Sequence, residues 1–112
     1  MLFEFSIDLE KELTRLLGLY DILIPLPIVK ELEFLSVHGK GERKAKAKAS
    51  LKLIKKYKTV EVKEKRGDDS VIELANKTNG IVVTNDKILK KRLKEKGIST
   101  IFLRAKKKLE LE

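Results

Sequence analysis

Apolar residues recur along this chain with two different periods, and the alternation between them predicts its elements. Leu9, Leu13, Leu16 and Leu17 fall at i, i+4, i+7 and i+8, the stripe of a helix that opens on Asp8 as N-cap and stops at Gly18. Ile22 to Ile24 then read as a short buried strand. Pro27 falls in the first turn of the next helix, where its missing N–H costs nothing, and Ile28, Val29, Leu32 and Leu35 supply that helix's apolar face. The Gly-punctuated segment His38 to Glu42 reads as a loop. A long helix follows, "ERKAKAKASLKLIKKYK", with Ala49, Leu53, Ile54 and Tyr57 as its inward stripe.

The second half repeats the alternation. Thr59 to Lys63 alternates as a strand, and "DSVIELANKTNG" is a helix with Val71, Ile72 and Ala75 inward and Gly80 just past its end. "IVVT" is the most strand-like run of the chain, apolar and β-branched. Asn85 and Asp86 open a capped helix, "DKILKKRLKEKG", with Ile88, Leu89 and Leu93 inward and Gly97 closing it. "TIFL" is the last predicted strand, and "RAKKKLELE", residues 104–112, reads as a loosely held basic and then acidic tail. Strands alternating with helices predict an α/β fold, a three-layer α/β/α sandwich on a parallel sheet. With 112 residues the prediction is one domain, 1–112, large enough for a hydrophobic core.

Composition narrows the chemistry. The chain is 42% hydrophobic and 38% charged, enough Leu, Ile and Val to offset the entropy of ordering, so global disorder is excluded. The absence of cysteine excludes disulfides, thiolate zinc sites and cysteine catalysis, and a lone His38, flanked by Val37 and Gly39, reads as a surface residue. The longest apolar run is interrupted by Pro25 and Pro27 and falls well short of the roughly 20 residues that span a bilayer. No membrane association and a cytoplasmic location are the expectation.

Twenty-six Lys and Arg against 17 Asp and Glu give a net charge of +9, which attracts polyanions through counterion release, with nucleic acid the commonest candidate. Solubility alone is the plainer reading of that surplus, and a Lys- and Glu-rich chain without Cys, Gln or Trp also has a thermophile's composition. Lys44, Lys48, Lys52 and Lys55 form a basic ridge on the long helix, set opposite its apolar stripe, and Arg104 with the lysines after it adds a second candidate phosphate contact. No aromatic stacking platform is evident.

Three of the five aspartates, Asp68, Asp69 and Asp86, stand where a strand gives way to a helix, and Glu31 lies in the helix after the first predicted strand. Strand-to-helix connections of a parallel sheet emerge at one edge, where open α/β sheets bind ligands. Singly, each acid also reads as a helix cap or a favourable charge in an early helical turn. Jointly they would repel one another unless a divalent cation lay between them, and ligands that are all oxygen suit Mg2+ or Mn2+. Beside a basic surface, such a site fits metal-assisted phosphodiester hydrolysis.

The ordered pair "DDSVIELA" and "IVVTNDKILKKRL", preceded by "IPLPIVKELEFLS" and followed by "IFLRAKKKLEL", resembles the PIN-domain nucleases, notably archaeal single-domain members and relatives in ribosomal RNA processing. The resemblance implies a metal-dependent endoribonuclease. By position, Glu31 corresponds to the family's helix-borne acidic ligand, Asp69 to the acid opening the next motif and Asp86 to the acid of the "TND" turn. Thr84 and Asn85 would orient that turn, with Asp68 as an outer carboxylate.

Family members usually begin with a strand ending in Asp, central in the sheet and flanked by the strands corresponding to Asp21 to Pro25 and Gly80 to Thr84. Here "MLFEFSID" stands just after its place, so this first central strand is expected to be missing or shortened. Leu2 to Phe5 offer a short substitute, with Glu4 as a replacement acid. A start codon set too late is the preferred origin, ahead of a cut chain or a degenerate homologue. Exposed strand edges then make a homodimer an expectation, and a protein inhibitor or processing partner is compatible with the small size. The alternative function is RNA binding without catalysis. A phospho-acceptor receiver domain fits less well, because "TVEVK" has no Asp at its tip.

Overall fold

The computed structural model describes residues 9–104 and 108–112, so the expectations placed on Leu2 to Phe5 and Asp8 lie outside the described residues. In chain order the elements are α1 (Leu9–Leu17), β1 (Leu23–Pro25), α2 (Leu26–His38), α3 (Glu42–Ile54), β2 (Lys58–Val60), α4 (Gly67–Thr78), β3 (Val82–Val83), α5 (Lys87–Glu95), β4 (Thr100–Arg104) and β5 (Lys108–Leu111). Their contacts group into two compact units, residues 22–74 and residues 1–21 with 75–112.

In the unit of residues 22–74, β1 and β2 pair in parallel, Leu23 opposite Lys58 and Pro25 opposite Val60. Two helices pack over this pair. Leu32 of α2 meets Ala47 and Ile54 of α3 in a core completed by Ile24, Ile28, Val29, Leu35, Leu51 and Tyr57. The inward stripe of α3 is therefore Ala47, Ser50, Leu51 and Ile54, at i, i+3, i+4 and i+7, while Ala49 is exposed, contrary to the sequence expectation. At about 100° per residue, this stripe places the lysine ridge beside the core face rather than behind it. Lys44 is accordingly half-buried, while Lys48, Lys52 and Lys55 are exposed.

Strand β2 is also shorter than its alternation suggested. It ends at Val60 because the chain turns away to α4, where the backbone N–H groups of Lys63 and Glu64 donate to the Glu73 carboxylate at 2.9 and 2.8 Å.

In the other unit, β3 and β4 pair in parallel and β5 adds antiparallel to β4, with Leu103 opposite Leu109. Residues 108–111 are thus a strand, not a loose tail, and Leu109 is fully buried together with Ile101 and Leu93. Apolar residues in "KLEL" alternate with charged ones, so the signal for a strand was present but short. Ile88, expected inward, is 74% exposed; the stripe of α5 is Leu89 and Leu93, and its neighbour in sequence points a quarter-turn away. The "IVVT" run pairs only through Val82 and Val83, and Ile81 and Val83 keep more than a third of their surface. At the end of α4 the left-handed residue is Asn79 (φ 52°), and Gly80 N–H closes the helix onto Ala75 O at 3.0 Å.

Among the described residues, β1 and β3 are each the end strand of their own sheet. These are the two strands that the family resemblance sets either side of its central strand. No helix among the described residues is long and apolar enough to cross a membrane.

Candidate active site

Glu31 sits in the second turn of α2, a helix started by Pro25 and Pro27 and held by its apolar face against α3. That packing leaves Glu31 on the exposed side. Its carboxylate reaches the first residue of α4, so that a Cβ built on Gly67 would lie 2.7 Å from Glu31 Oε2. Asp68 and Asp69 are the next two residues, half-buried in the first turn of α4. The fold of residues 22–74 therefore brings Glu31 to the helix end that carries two of the three other predicted acids. The N-terminal end of a helix favours negative charge, which suits Asp68 and Asp69 in that first turn.

Ser70, missed in the sequence, helps build that turn. It is fully buried, its N–H donates to Arg66 O at 2.8 Å and its hydroxyl to Gly67 O at 2.6 Å. Its signal was a small hydroxyl residue in the first turn of a predicted helix, where a serine hydroxyl commonly bonds back to the carbonyl three or four residues earlier.

Asp86 belongs to the other unit and is the N-cap of α5. Its Oδ1 accepts from the backbone N–H of Ile88 at 2.9 Å and of Leu89 at 3.0 Å, and Oδ2 takes part in neither bond. The turn that presents it is fixed by its two neighbours. Thr84 Oγ1 accepts from Asp86 N–H at 3.1 Å, and Thr84 N–H donates to Ile101 O at 3.0 Å. Asn85 pairs with the backbone of Leu103 in β4, accepting from its N–H at 2.7 Å and donating to its carbonyl at 3.5 Å. The Asn85 side chain and the Thr84 backbone thus tie the "TND" turn to β4, while the Thr84 hydroxyl braces the turn from within.

Of the basic residues, Lys48, Lys52 and Lys55 stand exposed on α3. Arg104 is exposed as well, but its guanidinium is held by Glu110 across the β4–β5 pair at 3.1 Å. His38 is exposed at the end of α2, with its ring centroid 4.6 Å from that of Phe34.

Among the described residues, no group of three or more His, Cys, Asp or Glu side chains is gathered closely enough to hold a metal ion. The donors that Glu31, Asp68 and Asp69 offer are all carboxylate oxygens, a chemistry that fits a hard divalent cation.

The sequence matches the family model described as PIN like domain over residues 1–106. It is 38% identical over 98 residues to Ribonuclease VapC9 of Archaeoglobus fulgidus, a match covering 88% of this chain and 72% of that protein. It is also 36% identical over 113 aligned positions to Ribonuclease VapC4 of Methanocaldococcus jannaschii, covering 97% of this chain and 86% of the relative. With its alternating helices and parallel strand pairs, the chain belongs to the PIN-like domain family.

Proposed function

We propose that this chain cleaves RNA internally by hydrolysing phosphodiester bonds with the help of Mg2+ or Mn2+, in the cytoplasm. Glu31 and Asp69 are its metal-binding acids, Asp68 supports them, and Asp86, in the other unit, is a further acid assigned by its place in the "TND" turn. The observation that carries this reading is the approach of the Glu31 carboxylate to the first residue of α4, directly before Asp68 and Asp69. Family membership supports it, as does the fact that both relatives are named ribonucleases.

A bound divalent cation supplies charge neutralisation at the phosphodiester and an acidified water. The carboxylates would orient the attacking water and take its proton as oxygen adds to phosphorus, while the bond to the leaving sugar oxygen breaks and that oxygen keeps the electron pair and takes a proton from solvent. Thr84 and Asn85 hold the Asp86 turn in place. Lys48, Lys52 and Lys55, with Lys44 at their margin, grip the RNA backbone without reading its bases. Arg104 contributes to that grip only in competition with Glu110. A protein inhibitor or processing partner and self-association belong to the same reading.

The test is cleavage of a labelled single-stranded RNA in Mn2+ by the chain, with and without chelator, beside an Asp86→Asn preparation that controls for contaminating nuclease. The reading expects cutting that needs both the cation and Asp86. RNA bound but uncut, with binding indifferent to chelator, would instead establish a binding protein.

A further inference from the structure

Gly67 has no conformational reason to be glycine. Gly18, Gly41 and Gly97 have positive φ, whereas Gly67 opens α4 with a backbone that any residue could adopt. What a side chain there lacks is space. A Cβ at Gly67 would fall 2.7 Å from Glu31 Oε2 and 3.2 Å from Ile28 Cδ1, and the three nearest atoms all belong to side chains. The first distance is too short for any real contact, so something must give. Because the obstacle is the far end of a flexible, exposed glutamate, the backbone can stay and the carboxylate must move.

We infer that Gly67 is a positioning residue for Glu31: its bare Cα is the space in which the Glu31 carboxylate rests against the first residue of α4, the residue that precedes Asp68 and Asp69 in the chain. The inference rests on the proposal that Glu31 is a metal-binding acid. Loss of a group that only orients a ligand typically weakens metal binding by about 10- to 100-fold. Alanine is also the better helix former, so the same substitution leaves the helix as stable as before or more so.

The experiment is calorimetric titration of Mn2+ into the full chain and into its Gly67→Ala, Glu31→Gln and Gly67→Ala/Ile28→Val forms, with thermal unfolding of each without metal. The expected result is that Glu31→Gln and Gly67→Ala both weaken Mn2+ binding by about 10-fold or more, while the melting temperature of Gly67→Ala is unchanged or raised. Removing Ile28 Cδ1 should not restore binding. If Gly67→Ala binds Mn2+ within twofold of the parent while Glu31→Gln is weakened, the inference fails and the functional reading stands. The inference also fails if Gly67→Ala melts earlier or does not fold, which would make the glycine structural, or if Ile28→Val rescues it, which would make Ile28 the residue displaced. If Glu31→Gln binds as well as the parent, or the parent binds no Mn2+, both the reading and the inference fall.

Discussion

Asp86 Oδ1 accepts two backbone N–H bonds at the start of α5, so an amide at this position can keep the cap while losing the charge. Asn and Asp are near-equal N-caps, and replacement by Ala costs about 1 kcal/mol. Asp86→Asn should therefore unfold in denaturant close to the parent midpoint and yet lose RNA cleavage, whereas Asp86→Ala should lose cleavage and about 1 kcal/mol of stability. Equal activity in the parent and Asp86→Asn would make this acid a cap and nothing more. The sequence made the cap legible and offered the ligand role beside it, because an N-cap and a ligand call for the same residue at the same place. It could not separate them, since the difference lies in which carboxylate oxygen is engaged. Glu31 was legible as an acid in an early helical turn, but its approach to Gly67 was not, because that depends on how α2 and α4 pack in three dimensions.

Strand β5 shows what an element can hide in a short sequence. Thr100 and Glu112 exchange both backbone hydrogen bonds, and the alternation of an antiparallel ladder then turns the N–H and C=O of Leu109 away from β4. Both find partners on α1: Leu109 N–H donates to Glu12 Oε1 at 3.1 Å, and Arg15 Nη2 donates to Leu109 O at 2.8 Å. Glu12 and Arg15, an ion pair three residues apart, thereby cap part of an edge that would otherwise invite another strand. No periodicity could reveal this, because the charged pair looks like any solvated helical face.

Leu109 itself is fully buried, so Leu109→Ala should cost about 2–5 kcal/mol in denaturant unfolding; a cost near zero would return residues 108–111 to a loose tail. The hydrogen bonds from Arg15 and from Leu109 N–H hold the Glu12 carboxyl below its ordinary value. A carboxylate with a lowered folded-state pKa stabilises the fold above its unfolded value and loses that contribution as pH falls through the folded one. Glu12→Gln should accordingly melt below the parent at neutral pH, and the gap should close as pH drops beneath the usual carboxylate range. A gap that persists in acid would show that the charge is not what matters there.

Over the whole molecule, the charge of +9 and the exposed row of Lys48, Lys52 and Lys55 argue for backbone-directed RNA binding. If these three and Lys44 each neutralise a phosphate, log affinity should fall with log salt at a slope of about −3 for single-stranded RNA. A Lys48→Gln/Lys52→Gln form should flatten that slope by roughly one and a half and weaken binding to all sequences alike. An unchanged slope would leave the ridge as a solvated face. The alternation of strand and helix was enough to read the α/β class, since each core face repeats with its element's period. The antiparallel β5 was not, because a four-residue strand after a basic run carries too little pattern to outweigh its charge.

The proposed function rests on acids that act in cleavage without holding the RNA. The most direct measurement compares the parent with Glu31→Gln and Asp69→Asn in single-turnover cleavage of a labelled RNA in Mn2+, with RNA binding measured on the same preparations in chelator. On the proposed function, cleavage should fall by about 100-fold or more, as for other groups acting mainly in the transition state, while binding stays within twofold. Variants that cut as fast as the parent, or that lose binding and cleavage in equal measure, would contradict it.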